Sequence, residues 1–292
     1  MKYDIIIPTI YRDYPFLNKV IKYVIQNLTP ENIYIITNGE KSKYISKSII
    51  NNPKCTIIDE NCLIDGMDFY TIKHLLAKKG IRNRPGWYYQ QFLKMGFSLS
   101  QFAKNDYYLS WDSDTLPLRP LEMFDTDGSP FFTMKNEYHQ AYFNTMYRLI
   151  GMKKTNAKSY IAENMLFNKA VMIELILKIE KSSIEGKRWF EKIINSVDLE
   201  EEFGFSEFET YGTFCLQVYP NLYHERELSC FRIGGYIQGR LISENILKAL
   251  SNDIDIISFE PTNIPPFPWG TINKIYYYYL KKRERLIDKF NL

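Results

Sequence analysis

Residues 106–118 read DYYLSWDSDTLPL, and this stretch decides the fold that the sequence predicts. Its first part, Tyr107–Trp111, is a short run of aromatic and branched residues with the composition of a buried strand. Asp112 and Asp114 follow that run directly. Residues i and i+2 of an extended chain point to the same side, so these two carboxylates can face a common point.

Two carboxylates that share a site repel each other unless a cation lies between them. Hard divalent ions such as Mg²⁺ and Mn²⁺ favour oxygen ligands, and substrate phosphates often complete their coordination. Asp-Ser-Asp is also good turn chemistry, so a plain polar turn after a strand is the alternative interpretation. The sequence predicts a Mn²⁺ or Mg²⁺ site at Asp112 and Asp114.

Apolar segments upstream of this stretch alternate between strand and helix patterns. Strands are predicted at Tyr3–Ile7, Ile33–Thr37 and Thr56–Ile58, and helices at Phe16–Asn27 and Ser42–Ile50. This β-α-β-α-β order is typical of a parallel sheet with helices on its faces.

Polar residues stand just past the end of each predicted strand of this sheet: Thr9, Asn38, Asp59 and Asp112. Ligands of parallel α/β sheets collect at the carboxyl ends of the strands, so these residues should converge on one crevice. We therefore predict a nucleotide site there. The sequence has neither a Gly-x-Gly-x-x-Gly motif nor a P-loop.

Four segments of the chain are similar to motifs of one family: IIIPT at 5–9, PGWYYQQ at 85–91, WDSD at 111–114 and FSEFE at 205–209. They resemble GT-A-fold, nucleotide-sugar-dependent glycosyltransferases, particularly the bacterial enzymes that build surface polysaccharides. The resemblance covers roughly the first four-fifths of the chain. It implies a Rossmann-type α/β fold, in which helices enclose a mixed, mostly parallel sheet and a helical tail follows.

The resemblance implies metal-dependent transfer of a sugar from a nucleotide-sugar donor, by default a UDP-sugar. The acceptor would be a glycan or lipid-linked glycan hydroxyl in capsule, lipooligosaccharide or O-antigen synthesis. A nucleotidyltransferase or sugar-nucleotide pyrophosphorylase is one alternative, but residues 8–13 lack its Gly-rich basic loop. A non-catalytic carbohydrate-binding protein is another, although both aspartates and a candidate base are present.

The resemblance also implies which residues face the donor. Arg84, Gln90 and Gln91 lie in the segment that borders the donor sugar or pyrophosphate in the family, and they can donate to phosphate or sugar oxygens. Arg12 follows the first strand and is predicted to bind the donor as well. Core packing of an amphipathic helix, predicted over residues 87–102, is the alternative interpretation for the neighbouring Trp87, Tyr88 and Phe92.

Ser206 can cap a helix that begins at Glu207, and the helix dipole favours a carboxylate in the first turn. That preference alone would explain an acidic residue there. In inverting members of the resembled family, an acid at a similar helix start removes the acceptor proton. Glu207 is the first candidate for this base and Glu209 the second, and the two face different ways on a helix. If the reaction retains configuration, Glu207 would orient the acceptor instead.

His224 is one of three histidines in the chain. Many enzymes of the resembled family take a third metal ligand from a late histidine or acid, and a neutral imidazole suits Mn²⁺. His224 is therefore predicted to complete the metal site, although a lone histidine is more often a surface or core residue.

Composition restricts the class of protein. Of the 292 residues, 45% are hydrophobic and 24% charged, which argues against disorder. The net charge of +3 argues against a nucleic-acid partner. Four cysteines without Cys-x-x-Cys spacing indicate reduced thiols. With neither a signal-peptide pattern nor a membrane-spanning run, we expect a cytoplasmic location.

The chain is predicted to divide into a GT-A-like domain over residues 1–250 and a second part over residues 251–292. The second part has a proline-containing connector followed by a helix with Tyr276–Tyr279 and several basic residues. Such a helix can pack on the domain or lie on the cytoplasmic face of the inner membrane. The oligomeric state is left open.

Overall fold

The computed structural model of the chain describes residues 1–199 and 201–290, and of residues 281 and 283–290 it describes only the backbone. Its strands are β1 (Asp4–Pro8), β2 (Ile33–Thr37), β3 (Cys55–Asp59), β4 (Tyr107–Trp111), β5 (Thr115–Pro117), β6 (Phe131–Thr133), β7 (Asn164–Asn168), β8 (His224–Arg226), β9 (Cys230–Phe231) and β10 (Ile256–Ser258). Its α-helices are α1 (Tyr14–Leu28), α2 (Lys47–Ile50), α3 (Phe69–Lys78), α4 (Pro85–Gly96), α5 (Gln140–Ile150), α6 (Lys169–Glu180), α7 (Trp189–Ser196), α8 (Glu207–Val218), α9 (Gly235–Gln238), α10 (Glu244–Leu250) and α11 (Trp269–Phe290).

The main sheet has five strands in the order β3-β2-β1-β4-β7. Its first four strands are parallel, and β7 runs antiparallel to β4. Ile6 of β1 lies opposite Tyr34 on one side and Ser110 on the other. The predicted mixed, mostly parallel α/β sheet is confirmed.

Helices cover both faces of this sheet, because successive residues of each strand point to opposite faces. Ile6 and Tyr108 contribute to a core that packs against α4, α6 and α8. Ile5, Ile7 and Leu109 contribute to a second core that packs against α1 and the smaller sheet. β1 and β2 are buried on both sides, which explains why they read as continuous apolar runs in the sequence.

A smaller sheet of order β5-β10-β9 extends the fold beyond Asp114. β10 pairs antiparallel with β5, so that Ser258 lies opposite Thr115. The Phe259 amide also donates to the Asp114 carbonyl over 2.9 Å. The predicted domain boundary at residue 250 precedes β10, so a strand that pairs beside the two aspartates falls within the predicted connector.

Several predicted helices have different limits in the structure. The predicted helix over 42–50 is a 3₁₀ turn, Gly39–Tyr44, followed by the short α2. The predicted helix over 87–102 ends as α4 at Gly96, where the chain tightens into the 3₁₀ turn Phe97–Leu99. Helix α3 has no counterpart among the predicted elements.

The first turns of α11 pack on the domain. Asn273 Nδ2 donates to the Gln238 carbonyl over 2.9 Å, and the helix contacts the 3₁₀ turn Gly239–Leu241. The side chains of Lys281, Arg283, Arg285 and Lys289, which belong to the predicted basic face, lie outside the described residues. In the described part of the chain, no helix combines the length and apolar character needed to cross a bilayer.

Replacing Gly212 by alanine is expected to destabilise the fold. A Cβ at Gly212 in α8 would lie 2.4 Å from Cγ of Tyr160, whose ring is fully buried. Overpacking of this kind costs about 1–3 kcal/mol. Urea denaturation of Gly212→Ala should show this loss in the free energy of unfolding.

Gly86→Ala is the matched control, because no described atom outside its chain neighbours and its own helix backbone lies within 4 Å of a Cβ at Gly86 in α4. This variant should be as stable as the parent or more stable by up to about 1 kcal/mol. Equal stability of the two variants would contradict the close packing of α8 against Tyr160.

Candidate functional site

A cleft of about 800 Å³ opens at the carboxyl ends of β1 and β4. The start of β7 lies at the same edge, because this strand runs antiparallel to β4. Helix α4 and the first turn of α8 form further parts of the wall. Most of the predicted site residues line this cleft: Thr9, Arg12, Asn38, Arg84, Gln90, Gln91, Asp112, Asp114 and Glu207.

Lys94 of α4 joins two of the predicted site residues. Its side chain is only 5% exposed, and Nζ lies 3.1 Å from Asp112 Oδ1 and 3.2 Å from Glu207 Oε1. The ammonium group also lies over the Phe208 ring. Burial lowers the pKa of Lys94, but Asp112 and Glu207 raise it by more, so the pKa is above its ordinary value.

Sequence reasoning did not identify Lys94 as a functional residue. The signal that could have found it is its place in the apolar run FLKMGF at 92–97, on a helix that must pack against the sheet. A lysine is almost never fully buried without a partner of opposite charge. A lone lysine in such a run therefore predicts a buried carboxylate beside it.

Asp114 lies beside a second buried basic side chain, that of Arg240. Arg240 Nη2 is 3.9 Å from Asp114 Oδ2, while Arg240 Nη1 is 2.6 Å from Asp13 Oδ1. Burial, and then the charge of Asp112, raises the pKa of Asp114 to about 7. Burial also raises the pKa of Glu207, against the opposing effect of Lys94.

The chemistry of this donor set fits a hard divalent cation. Asp112 and Asp114 offer carboxylate oxygens to the cleft, and carboxylates outnumber basic groups among the described lining residues. Glu260, which follows β10, lines the same cleft, and its charge also raises the pKa of Asp114. Water or phosphate oxygens commonly complete the coordination of such an ion.

His224 does not lie with Asp112 and Asp114, contrary to the prediction. The Nδ1 atom of His224 is 2.8 Å from Asp125 Oδ2. The residue before Asp125, Phe124, packs its ring 5.1 Å from the ring of Tyr107, which lies at the start of β4. Asp112 follows the opposite end of β4. Because a strand rises about 3.3 Å per residue, the length of β4 separates Asp112 from His224 and Asp125. The hydrogen bond with Asp125 raises the pKa of His224.

His224, Asp125 and Asp127 form a group of their own, in which one ligand atom from each residue lies within 4.8 Å of the others. His224 Nε2 is 3.7 Å from Asp127 Oδ2. The hydrogen bond with His224 lowers the pKa of Asp125, whereas hydrogen bonds from Ser129 are the main cause of the lowered pKa of Asp127. Asp125 and Asp127 also accept from the backbone amides of Thr126 and Ser129, which helps to fix their positions.

Glu209 points away from the cleft, as expected for a residue two positions beyond Glu207 on a helix. Its carboxylate accepts from the Ser159 hydroxyl and the Tyr160 amide, and lies 3.1 Å from Lys154 Nζ. Ser206 caps this helix by accepting from the Glu209 amide, so the predicted cap is confirmed. Glu209 therefore holds the loop before β7 against α8. Its carboxylate does not reach the cleft, so Glu209 cannot act there as the second-choice base.

Asp59 is likewise absent from the described cleft wall. Its Oδ1 accepts from the backbone amides of Gly39 and Asn61, which fixes the turns that follow β2 and β3. The next residue, Glu60, lines the cleft. Burial, and then the charge of Asp59, raises the pKa of Glu60 to about 7.

The remaining predicted donor-binding residues differ in the contacts that they already make within the protein. Thr9 Oγ1 is buried beside the cleft and makes no hydrogen bond in the described part of the chain. Gln90 Nε2 donates to Asp112 Oδ1 over 3.3 Å. Gln91 Oε1 accepts from the Glu207 amide over 3.0 Å, so it positions the start of α8. Arg84 pairs with Glu202 at the cleft rim.

Glu163 is a further cleft residue outside the predicted set. Its side chain is 4% exposed, and neither carboxylate oxygen has a hydrogen-bond partner among the described residues. Arg232 Nε lies 3.1 Å from it, and Lys135 Nζ 3.8 Å. The Glu163 carbonyl accepts from the Asp112 amide, which places Glu163 directly beside the aspartates.

Comparison with known proteins gives one family and several structures. A family model described as "Family of unknown function (DUF6492)" matches residues 3–230. No curated protein matches the chain.

Solved structures similar to this chain include three glycosyltransferases. The galactosyltransferase LgtC, solved with donor and acceptor sugar analogues, has 13% identity and a TM-score of 0.42, over 95% of this chain and 94% of that one. Mouse xyloside xylosyltransferase 1 has 10% identity and a TM-score of 0.47, over 92% and 100%. GlyE of Streptococcus pneumoniae TIGR4 has 13% identity and a TM-score of 0.42, over 96% and 60%. At this level of likeness, the chemistry of the site must follow from its own residues.

Replacing Lys94 by methionine should destabilise the protein strongly, because Asp112 and the buried Glu207 would lose the ammonium group that compensates their charges. Breaking a buried ion pair by removing one partner costs about 3–5 kcal/mol. Denaturant unfolding should show this loss, and the double variant Lys94→Met/Glu207→Gln should recover part of it.

The matched control is Lys192→Met, which removes a buried lysine that donates to the Ser182 carbonyl over 2.6 Å. A loss of about 1 kcal/mol is expected there, the value of one hydrogen bond. Equal losses in the two variants would contradict the bridging role of Lys94.

Glu60 should make stability depend on pH. Its pKa in the folded state, about 7, exceeds its ordinary value of 4.5, so the folded protein binds a proton that the unfolded chain has released. The free energy of unfolding should therefore fall as the pH rises through this range. In Glu60→Gln the fall between pH 5 and pH 8 should be smaller by about 1–2 kcal/mol, as measured by urea denaturation. Glu40→Gln, at an exposed residue, should keep the parent's pH dependence.

Proposed function

The chain belongs to the DUF6492 family, and we propose that it is a metal-dependent glycosyltransferase that takes its sugar from a nucleotide-sugar donor. The observation that carries this proposal is the pair Asp112 and Asp114 at the carboxyl end of β4, facing a cleft of about 800 Å³. Two carboxylates at this edge suit a hard divalent cation and a phosphorylated ligand. Glu207 supplies a buried carboxylate in the same cleft.

Asp112 and Asp114 would hold Mn²⁺ or Mg²⁺, with Glu260 as a further oxygen donor in place of His224. When bound, such an ion supplies Lewis-acid stabilisation of a diphosphate leaving group. Arg12 and Arg84 line the cleft and can donate to phosphate oxygens. Thr9 and Asn38, at the ends of β1 and β2, offer hydrogen bonds to the nucleoside part of the donor.

Glu207 is the proposed base of an inverting reaction. The acceptor oxygen forms a bond to the anomeric carbon, the bond from that carbon to the diphosphate oxygen breaks, and the acceptor proton passes to Glu207. A raised pKa brings a carboxylate closer to the range in which it accepts a proton efficiently. Lys94 holds this carboxylate in place through its 3.2 Å contact. In a retaining reaction, Glu207 would orient the acceptor hydroxyl.

The acceptor is proposed to be a glycan or lipid-linked glycan of a surface polysaccharide, and the donor a UDP-sugar. Support for a sugar ligand comes from aromatic side chains in the cleft wall. Trp87 and Tyr142 both line the cleft, with their rings stacked at 6.3 Å. Aromatic faces suit sugars because they offer apolar surface beside polar groups.

Peripheral contact with the cytoplasmic face of a membrane is proposed for the C-terminal part. Residues 269–292 contain six basic and two acidic residues, a net charge of +4, whereas the whole chain carries +3. Phe267, Ile275 and Tyr279 are exposed in the same part of the chain. Basic and aromatic residues together favour an anionic bilayer surface.

Asp114→Asn should abolish most of the activity. A panel of UDP- and GDP-sugars with Mn²⁺ should give donor hydrolysis or transfer by the parent, and the variant should lose at least about 100-fold, because the leaving diphosphate loses its electrostatic stabilisation. Thermal shift should show Mn²⁺-dependent stabilisation by UDP in the parent alone.

Asp125→Asn is the matched control, since it alters the separate group that contains His224. It should keep both the turnover and the metal-dependent stabilisation. If Asp125→Asn lost turnover and metal-dependent stabilisation while Asp114→Asn retained both, the metal site would be assigned to the group of Asp125, Asp127 and His224. Binding without turnover in the parent would favour a carbohydrate-binding protein.

Glu207→Gln distinguishes the two roles proposed for Glu207. As a general base, its loss should lower kcat by about 10²–10⁴-fold. An effect confined to the acceptor KM would instead assign it an orienting role. Steady-state kinetics with the identified donor and acceptor give this separation.

A further inference from the structure

A second cavity, of about 500 Å³, lies beside the cleft and outside the proposed donor site. It is formed between the start of α11, the connector after β10 and the turn that follows α9. Arg12 and Glu260 line both spaces, so the cavity and the cleft are neighbours. Glycines permit this close packing: a Cβ at Gly270 would lie 2.6 Å from the Pro265 carbonyl oxygen.

The chemistry of this cavity differs from that of the cleft. Its walls are mainly apolar, with Phe259, Ile264, Pro265 and the rings of Tyr277 and Tyr278 among the lining residues. A cavity lined in this way favours an aliphatic chain.

The charged groups of the cavity favour an anion. Arg12, Arg240 and Lys274 are its basic lining residues, and Glu260 is the acidic one among the described lining residues. The cleft has the opposite balance, with an excess of carboxylates. An anionic group therefore meets basic side chains at the side where Arg12 joins the two spaces, although Asp13 offsets part of the charge of Arg12 and Arg240.

Arg240 has spare hydrogen-bonding capacity in this cavity. Its side chain is 9% exposed, Nη1 donates to Asp13, and Nε donates to the Phe259 carbonyl. Nη2 is buried and lies 3.9 Å from Asp114 Oδ2, but it donates no hydrogen bond among the described residues. The Tyr277 hydroxyl, in the same lining, is buried near Arg240 and has no well-aligned hydrogen bond among the described residues. Buried donors without acceptors are costly, which points to a ligand that accepts from them.

We propose that this cavity binds a lipid phosphate, with the hydrocarbon chain against the apolar walls and the phosphate at Arg12 and Arg240. Exposed apolar side chains at its border, Ile264 and Tyr278, lead from the cavity to the surface. Since the phosphate end lies beside the cleft, we assign the ligand as the lipid carrier of the acceptor, and this assignment rests on the proposed sugar transfer. The binding itself does not.

Farnesyl phosphate, used below its critical micelle concentration, is the probe. Titration calorimetry with the full-length parent should show saturable binding, at least tenfold tighter than that of farnesol or inorganic phosphate alone. Tyr278→Asp places a carboxylate in the cavity wall at a residue that is 71% exposed, so folding should be kept. This variant should lose at least tenfold in affinity.

Tyr279→Asp is the matched control, because this neighbouring tyrosine is 63% exposed and is not part of the cavity lining. It should bind farnesyl phosphate like the parent. Equal losses in both variants would mean adsorption on the helix surface, and no loss in Tyr278→Asp would mean that the cavity is not used. Either result overturns the proposal.

Glu207→Gln separates this proposal from the proposed function. Glu207 lines the cleft and not the cavity, so the variant should keep its affinity for farnesyl phosphate whatever happens to sugar transfer. Farnesyl phosphate binding without any sugar-nucleotide turnover in the parent would retain the cavity and reject the transferase. Turnover without this binding would retain the transferase and reject the cavity.

Discussion

The ion pairs of Lys94 are the interaction on which the site depends. The ammonium group lies between Asp112, at the end of β4, and Glu207, at the start of α8. Each carboxylate comes from a different element, and the lysine comes from a third, α4. Buried charges of one sign cannot lie this close without compensation, so Lys94 determines how near the helix start can approach the sheet edge.

The direction of the strands explains why charge collects at this edge. β1 and β4 run parallel, and their carboxyl ends deliver Thr9 and Asp112 to the same cleft. The antiparallel β7 brings Glu163 to this edge from its amino end. The cleft therefore gathers carboxylates that suit a cation, while the neighbouring cavity gathers basic groups and apolar walls that suit a lipid anion. Arg12 lines both the cleft and the cavity and lies where the two spaces meet.

Sequence reasoning succeeded where local pattern and parallel topology act together. Thr9, Asn38 and Asp112 were predicted from their positions after apolar runs, and all three line the cleft. It failed for His224, because its position depends on a pairing of β8 with β6 that no local pattern specifies. Asp59 failed for a different reason: its carboxylate accepts from nearby backbone amides and so fixes two turns.

Periodicity and residue order predicted the alternation of strands and helices, the mostly parallel sheet, and the pair Asp112 and Asp114 at the end of a buried strand. These features follow from periodicity and from residues close in the chain. Only the tertiary structure decided that Lys94 joins Asp112 to Glu207, that Arg240 lies beside Asp114, and that α11 closes a second cavity. The contacts of Lys94 with Glu207 and of Arg240 with Asp114 join segments more than a hundred residues apart, and their geometry is set by packing rather than by any local pattern.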